Sequence, residues 1–277
     1  MNWVSLLLIV TNVIFSYQGF RDKEFFERYK FEVEKILIYK DYKRILTSGF
    51  LHVNWLHLLF NMFSLWVFSG ALQSILGAAQ FLLIYFAGLV GGNLLALRIH
   101  RGDSAYSVVG ASGAICSVLF ASIAIFPGQM ISFFGLFALP SWLYGLLFTA
   151  FSIYGIRSRQ NNVGHESHLG GALVGMLLVL LLHPRAFLEN YIPILILTVP
   201  TILFIYFILT RPHALLVDNL FFKENKYNYS IDHLYNAERN KRQQEIDRIL
   251  EKIHRKGMNS LTKKEKETLR ENSQKIN

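Results

Sequence analysis

Cysteine is nearly absent from this chain, and charge is scarce over long stretches of it. The one cysteine, Cys116, excludes an intramolecular disulfide and carries no information about compartment. No phosphate-binding glycine loop, Cys-x-x-Cys pair or internal repeat is present. The apolar run from Trp3 to Tyr17 lacks a basic segment before it and a small-residue cleavage site, so it reads as a retained helix and not a signal peptide. Only 17% of the residues are charged, against 52% hydrophobic and 14% aromatic. Together with a mean hydropathy of +0.32, this excludes an ordinary soluble domain. What is there instead is a series of nearly uncharged runs of about 16 to 22 residues, the mark of an all-α, polytopic membrane protein.

Seven runs are countable: 3–17, 54–76, 80–97, 112–126, 140–156, 168–182 and 191–209. Gly77 separates the second from the third, and Pro193 and Pro200 in the last are tolerated because membrane helices accept proline. Residues 21–44 mix both charge signs with Phe, Tyr, Ile and Leu, as amphipathic pieces lying at an interface do. The apolar stretch 130–139 reads as a second interfacial segment. The expected organisation is a six-helix core over 1–184, an additional span over 185–210 and a basic, partly helical soluble tail over 211–277. In that tail Ile246, Ile249, Leu250 and Ile253 fall at helical spacing, Gly257 closes the helix, and Thr262 with Glu265 makes a capping box. The net charge of +9 sits mostly in 21–44 and the tail, which suits membrane-flanking segments better than a nucleic-acid surface.

The fourth run is short. Fifteen helical residues from Ser112 rise about 22 Å, whereas a bilayer core is about 30 Å thick. Ser112, flanked by Gly110 and Gly113, therefore sits below a membrane surface at a helix N-terminus. Polar groups inside membrane helices are costly, and three sets stand out: His52, His57 and Asn61; Ser112; and His168. His57 and Asn61, four apart, share one helix face. Gly171 and Gly175 form a GxxxG pair suited to the Ala111, Gly113 and Ala114 side of the fourth helix.

A serine becomes a nucleophile when a base takes its proton, and neutral imidazole is the usual base near neutral pH. Acyl transfer also needs donors for the developing oxyanion; the Ser112 N–H, the Asn61 amide and a His57 N–H are candidates. With no carboxylate in the spans, the reading is a Ser-His dyad, and Glu166 is placed before the sixth helix. Two soluble-enzyme motifs fail: the nucleophile elbow needs Gly where Ala114 stands, and H-E-x-x-H needs His where Leu169 stands. A transporter or metal-binding protein using His52, His57, His165 and His168 is the alternative that the residues leave open; chelator sensitivity separates it.

The pieces RILTSGFLHVNWLHLLFNM, GALQSILGAAQFLLIYFAGLVGG, GASGA and HLGGALVG, in this order over roughly 43–176, resemble the rhomboid family of intramembrane serine proteases. The resemblance implies Ser112 as nucleophile and His168 as general base. It implies an oxyanion hole from His57, Asn61 and the Ser112 amide, with Gly110 shaping the turn, and a supporting role for His52. It implies a six-helix core with a water-filled depression above a short fourth helix, transmembrane protein substrates, no cofactor and no metal. The expected location is a bacterial inner or plasma membrane with the site facing the extracytoplasmic side. Loop 21–44 and the tail would then share that side, although the positive-inside rule assigns their Lys and Arg to the cytoplasm. Two positions depart from the pattern: Gln73 stands where Glu is frequent, and Cys116 where an aromatic often stacks on the catalytic histidine. An inactive family member that binds membrane proteins is the remaining alternative, though such members usually lose the Ser or the His.

Overall fold

The computed structural model describes residues 3–133, 137–158 and 163–210, together with 248, 249, 252, 253, 261, 262 and 265. Among the described residues four helices are long and apolar enough to cross a membrane: α1 (Trp3–Arg21), α5 (Trp55–Ile99), α8 (His165–Leu182) and α9 (Arg185–Thr210). At 45 residues α5 is two spans in one, broken at Gly77, whose φ of 72° favours a residue without Cβ. The shorter apolar helix α6 (Ser112–Ile125) and the 18-residue α7 (Ser141–Ser158) complete the set. This matches the expected six-helix core and a further helix after it.

Between α1 and α5 the chain folds into α2 (Lys23–Tyr29), strand β1 (Phe31–Glu32), α3 (Val33–Leu37) and α4 (Arg44–Thr47), then a single 3₁₀ turn, Ser48–Phe50. Asp22 caps α2 by accepting from the Phe25 N–H at 3.0 Å. Buried Arg44 staples the segment. Its guanidinium donates to the carbonyls of Glu27 and Lys30, each at 2.8 Å, and to Asp41 at 2.9 Å. β1 pairs antiparallel with β2 (Ser107–Val108), Phe31 opposite Val108, which fixes the chain just upstream of α6.

α6 is sheathed by its neighbours, with every residue from Gly113 to Ala124 buried. It lies against α5 and α8 at backbone distance. A Cβ on Gly171 would fall on the Gly113 carbonyl, and one on Gly175 on the Ser117 carbonyl. The GxxxG expectation therefore holds, with Gly113 and Ser117 as the partner face.

Three expectations are revised. α8 begins at His165, not His168, because Glu166 and Ser167 find buried partners there (below). The stretch after Pro127 is extended, β3 (Met130–Phe133) pairing antiparallel with β4 (Phe137–Pro140), so that their backbone groups satisfy one another. The third span runs on to Ile99.

Contacts divide the chain into Met1–Asp218 and Asn219–Asn277. In the second unit Ile249 is buried and the capping box forms. The Thr262 N–H donates to Glu265 at 2.7 Å and the Glu265 N–H to Thr262 Oγ1 at 3.3 Å. Lys252 donates to the same carboxylate at 2.8 Å and, with the Thr262 N–H next, holds its pKa down to about 2. Ile246, Leu250 and Gly257 lie outside the described residues.

Candidate active site

Ser112 is the first residue of α6, and three bonds hold the turn that delivers it. Gly110 donates its N–H to the Ser48 carbonyl at 3.0 Å, the Ala111 N–H points at His52 Nε2 at 3.5 Å, and the Ala111 carbonyl accepts the first helical bond, from Ile115 at 3.0 Å. Gly110 has φ 133°, a conformation that side chains with a Cβ rarely adopt. Half-buried Ser112 meets His168 across the α6–α8 contact, Oγ to Nε2, at 2.7 Å. That is hydrogen-bond length for a hydroxyl donating to imidazole. A neutral ring accepting at Nε2 carries its proton on Nδ1, which has no partner among the described residues. The geometry suits proton transfer from hydroxyl to ring.

His57 sits in the first turn of α5, where Asn54 Oδ1 caps its N–H at 2.8 Å. The ring's Cε1–Nε2 edge faces Gly110: a Cβ built there would lie 2.9 Å from Cε1, 3.1 Å from Nε2 and 3.6 Å from Ser112 Oγ. The His57 edge and the serine hydroxyl thus flank the same small space. Asn61, one turn on, donates one amide hydrogen to the His57 carbonyl at 2.9 Å and keeps a second.

Fully buried His52 stands behind this group, its ring edge-on to His57 with centroids 4.9 Å apart. Its Nδ1 is 2.8 Å from Ser16 Oγ, which donates to the Phe50 carbonyl at 3.0 Å. With the proton on Nδ1 every bond is satisfied, and Nε2 is left to accept from Ala111. Burial, with the neighbouring His57 charge second, pushes the His52 pKa down to about 3, so the ring stays neutral. Gln73, one of the two departures, accepts from Ser5 of α1 at 3.0 Å.

Several residues near the site escape a reading by motif. Asn93 on α5 donates to the Ile45 carbonyl at 2.8 Å and Ser48 Oγ at 3.2 Å, and accepts from Ser167 at 3.0 Å. It joins the helix turn before His168 to the residue that anchors Gly110. The rule that flagged His57, a polar group inside a membrane span, applies equally to Asn93. Glu166 accepts from His100 at 2.9 Å and from Tyr106 at 3.4 Å, and those two rings stack at 3.6 Å. Burial first, then the Glu166 charge, raises the Tyr106 pKa well above its ordinary value. The carboxylate therefore clamps the loop leading to Ser112 and makes no bond to His168. His165 and Phe148 flank the His168 ring. Among the described residues no group of three or more His, Cys, Asp or Glu is placed to hold a metal ion.

The chain is 32% identical over 158 residues to Rhomboid protein 1, mitochondrial, of Saccharomyces cerevisiae, covering 54% of this chain and 45% of that one. It is 27% identical over 145 residues to RHOMBOID-like protein 12, mitochondrial, of Arabidopsis thaliana, 47% and 43% of the two chains. It is 33% identical over 136 residues to the Presenilin-associated rhomboid-like protein, mitochondrial, of Homo sapiens, 48% and 36%. The aligned segments span less than half the length of these relatives. Their mitochondrial names overturn the expected bacterial inner or plasma membrane. Hydropathy reports that a bilayer is crossed and not which bilayer it is. Residues 229–275 match a family of unknown function (DUF6576). Residues 39–185, more than half of the chain and every site residue above except Ser5 and Ser16, match the Rhomboid domain, and the chain belongs to the rhomboid family.

Proposed function

We propose that this protein is an intramembrane serine endopeptidase, cutting transmembrane or membrane-proximal segments of other membrane proteins in a mitochondrial membrane. The observation that carries the reading is the 2.7 Å contact between Ser112 Oγ and His168 Nε2 at the end of a 14-residue buried helix. Ser112 Oγ attacks the peptide carbonyl carbon while its proton passes to His168 Nε2. The oxyanion faces the Ser112 N–H, the His57 ring and the free Asn61 hydrogen, with Gly110 keeping that space clear. The imidazolium then protonates the leaving amine, the C–N bond breaks and an ester to Ser112 remains. Water attacks the ester, giving its proton to His168; the C–O bond to Ser112 breaks, and the acid product leaves with the hydroxyl restored. His52 acts behind this set by holding Ala111.

The domain organisation proposed with it is a catalytic core over 1–184, an added span over 185–210 and a tail over 211–277. α9 at Arg185–Thr210 and the family match that starts at 229 support it.

Fluorophosphonate labelling of the detergent-purified chain, beside Ser112→Ala and His168→Ala, tests the reading. Labelling that vanishes in both variants is expected. A folded wild type that takes no label and cuts no transmembrane substrate overturns it and leaves a non-catalytic membrane-protein binder.

A further inference from the structure

A general base must keep one nitrogen aimed at the hydroxyl, and rotation of the imidazole about its second side-chain torsion takes Nε2 away. A hydrogen bond at Nδ1 is the usual restraint, and among the described residues His168 has none. Neither does α6 supply a ring at the next turn, where Cys116 is small and buried.

Two aromatic groups occupy the remaining flanks. Phe148, on α7, lies against the His168 ring with centroids 5.5 Å apart and planes at 40°. His165, one turn earlier on α8, meets it edge-on at 5.6 Å and 83°. Both separations fall within the range of attractive ring pairs. His165 is itself buried with neither nitrogen partnered among the described residues, which is an odd place for a polar ring unless its shape is what matters. It is wedged edge-on to Phe151 at 5.2 Å, over Gly155, where a Cβ would collide with it. On the other side Phe148 continues into Tyr144 at 6.4 Å, and Tyr144 stacks on Phe68 of α5 at 5.9 Å. The rings run as one row across α5, α7 and α8, with the base inside it.

We infer that Phe148 and His165 are positioning residues that orient the His168 imidazole, taking over from α7 and α8 the support that α6 lacks at Cys116. The inference rests on the protease reading. His165 acts here as a ring and not as an acid or base.

The test is steady-state cleavage of a transmembrane substrate, with the fluorophosphonate labelling rate, by the full-length chain carrying Phe148→Leu, Phe148→Tyr, His165→Ala or His165→Phe. Phe148→Leu and His165→Ala are each expected to lower kcat and labelling rate roughly tenfold, the size of one aromatic pair's preference, with KM within twofold. Phe148→Tyr and His165→Phe, which keep a ring, are expected to restore most of the loss. A raised KM with kcat kept makes Phe148 a substrate contact and overturns the inference. So does unchanged kcat in both truncations, or a His165→Phe loss as large as that of His165→Ala. Wild type, Ser112→Ala and His168→Ala in the same series identify a failure of the protease reading itself, since wild type is then inert.

Discussion

Replacing Gly110 with alanine tests the oxyanion geometry with one methyl group. At φ 133° the new residue enters backbone space that costs about 1–3 kcal/mol for a side chain with Cβ. The methyl would stand 2.9 Å from His57 Cε1, against 3.4 Å for ordinary contact, so the ring or the turn must give by 0.5 Å (3.4 − 2.9). The turn has little freedom, being tied to Ser48 at 3.0 Å, so His57 is the part that moves. Losing one oxyanion donor costs about 10²–10³ in kcat, which sets the expected effect. Stability should fall by only about 1–3 kcal/mol, because the hole is small and lies at a helix end. The assay pairs cleavage of a transmembrane substrate with thermal unfolding in the same detergent. A folded Gly110→Ala protein retaining kcat within threefold of wild type would refute the assignment of His57 and the turn to the oxyanion.

Gly175→Ala puts a Cβ onto the Ser117 carbonyl oxygen, with the carbonyl carbon and Cα each at 2.6 Å, so α6 and α8 must separate by more than about 0.8 Å (3.4 − 2.6). A drop of about 1–3 kcal/mol in unfolding free energy is expected, with loss of labelling as Ser112 and His168 part; unchanged labelling would contradict it. His52 takes a proton near pH 6.5 when unfolded and near 3 when folded. Its contribution to stability is therefore intact above pH 6.5 and is lost at about 1.4 kcal/mol per unit as pH falls toward 3. Unfolding midpoints of His52→Asn between pH 7 and 4 should show a flatter slope than wild type, and equal slopes would dismiss the assignment. Glu166→Gln keeps an acceptor for Tyr106 and removes the charge facing His100. It should cost about 1–3 kcal/mol in stability and leave the labelling rate within threefold; a larger kinetic loss would give the carboxylate a part in the chemistry.

Ser112 and His168 were legible because a polar group in a membrane span and a helix too short for the bilayer are both local facts. The start of α8 was not. Glu166 and Ser167 look like loop residues until His100, Tyr106 and Asn93, some 60 to 75 positions earlier, supply their partners. Strands β3 and β4 read as an interfacial segment because their apolar residues lack the alternation that marks a half-buried strand. The aromatic row through His168 is invisible for a further reason. Tyr144, Phe148 and Phe151 share a face of α7 by their spacing, but that spacing does not say that His168 of α8 lies against it.

Ser112 and His168 lie 56 residues apart in the chain, one on α6 and the other on α8. At a synthesis rate of about 5–20 residues per second, roughly 3 to 11 s pass between Ser112 and His168 leaving the ribosome. During that interval the serine is an ordinary alcohol with no group to take its proton. Under the proposed dyad, the order of the helices thus acts as a built-in delay, keeping the nascent chain inert until α8 has been made.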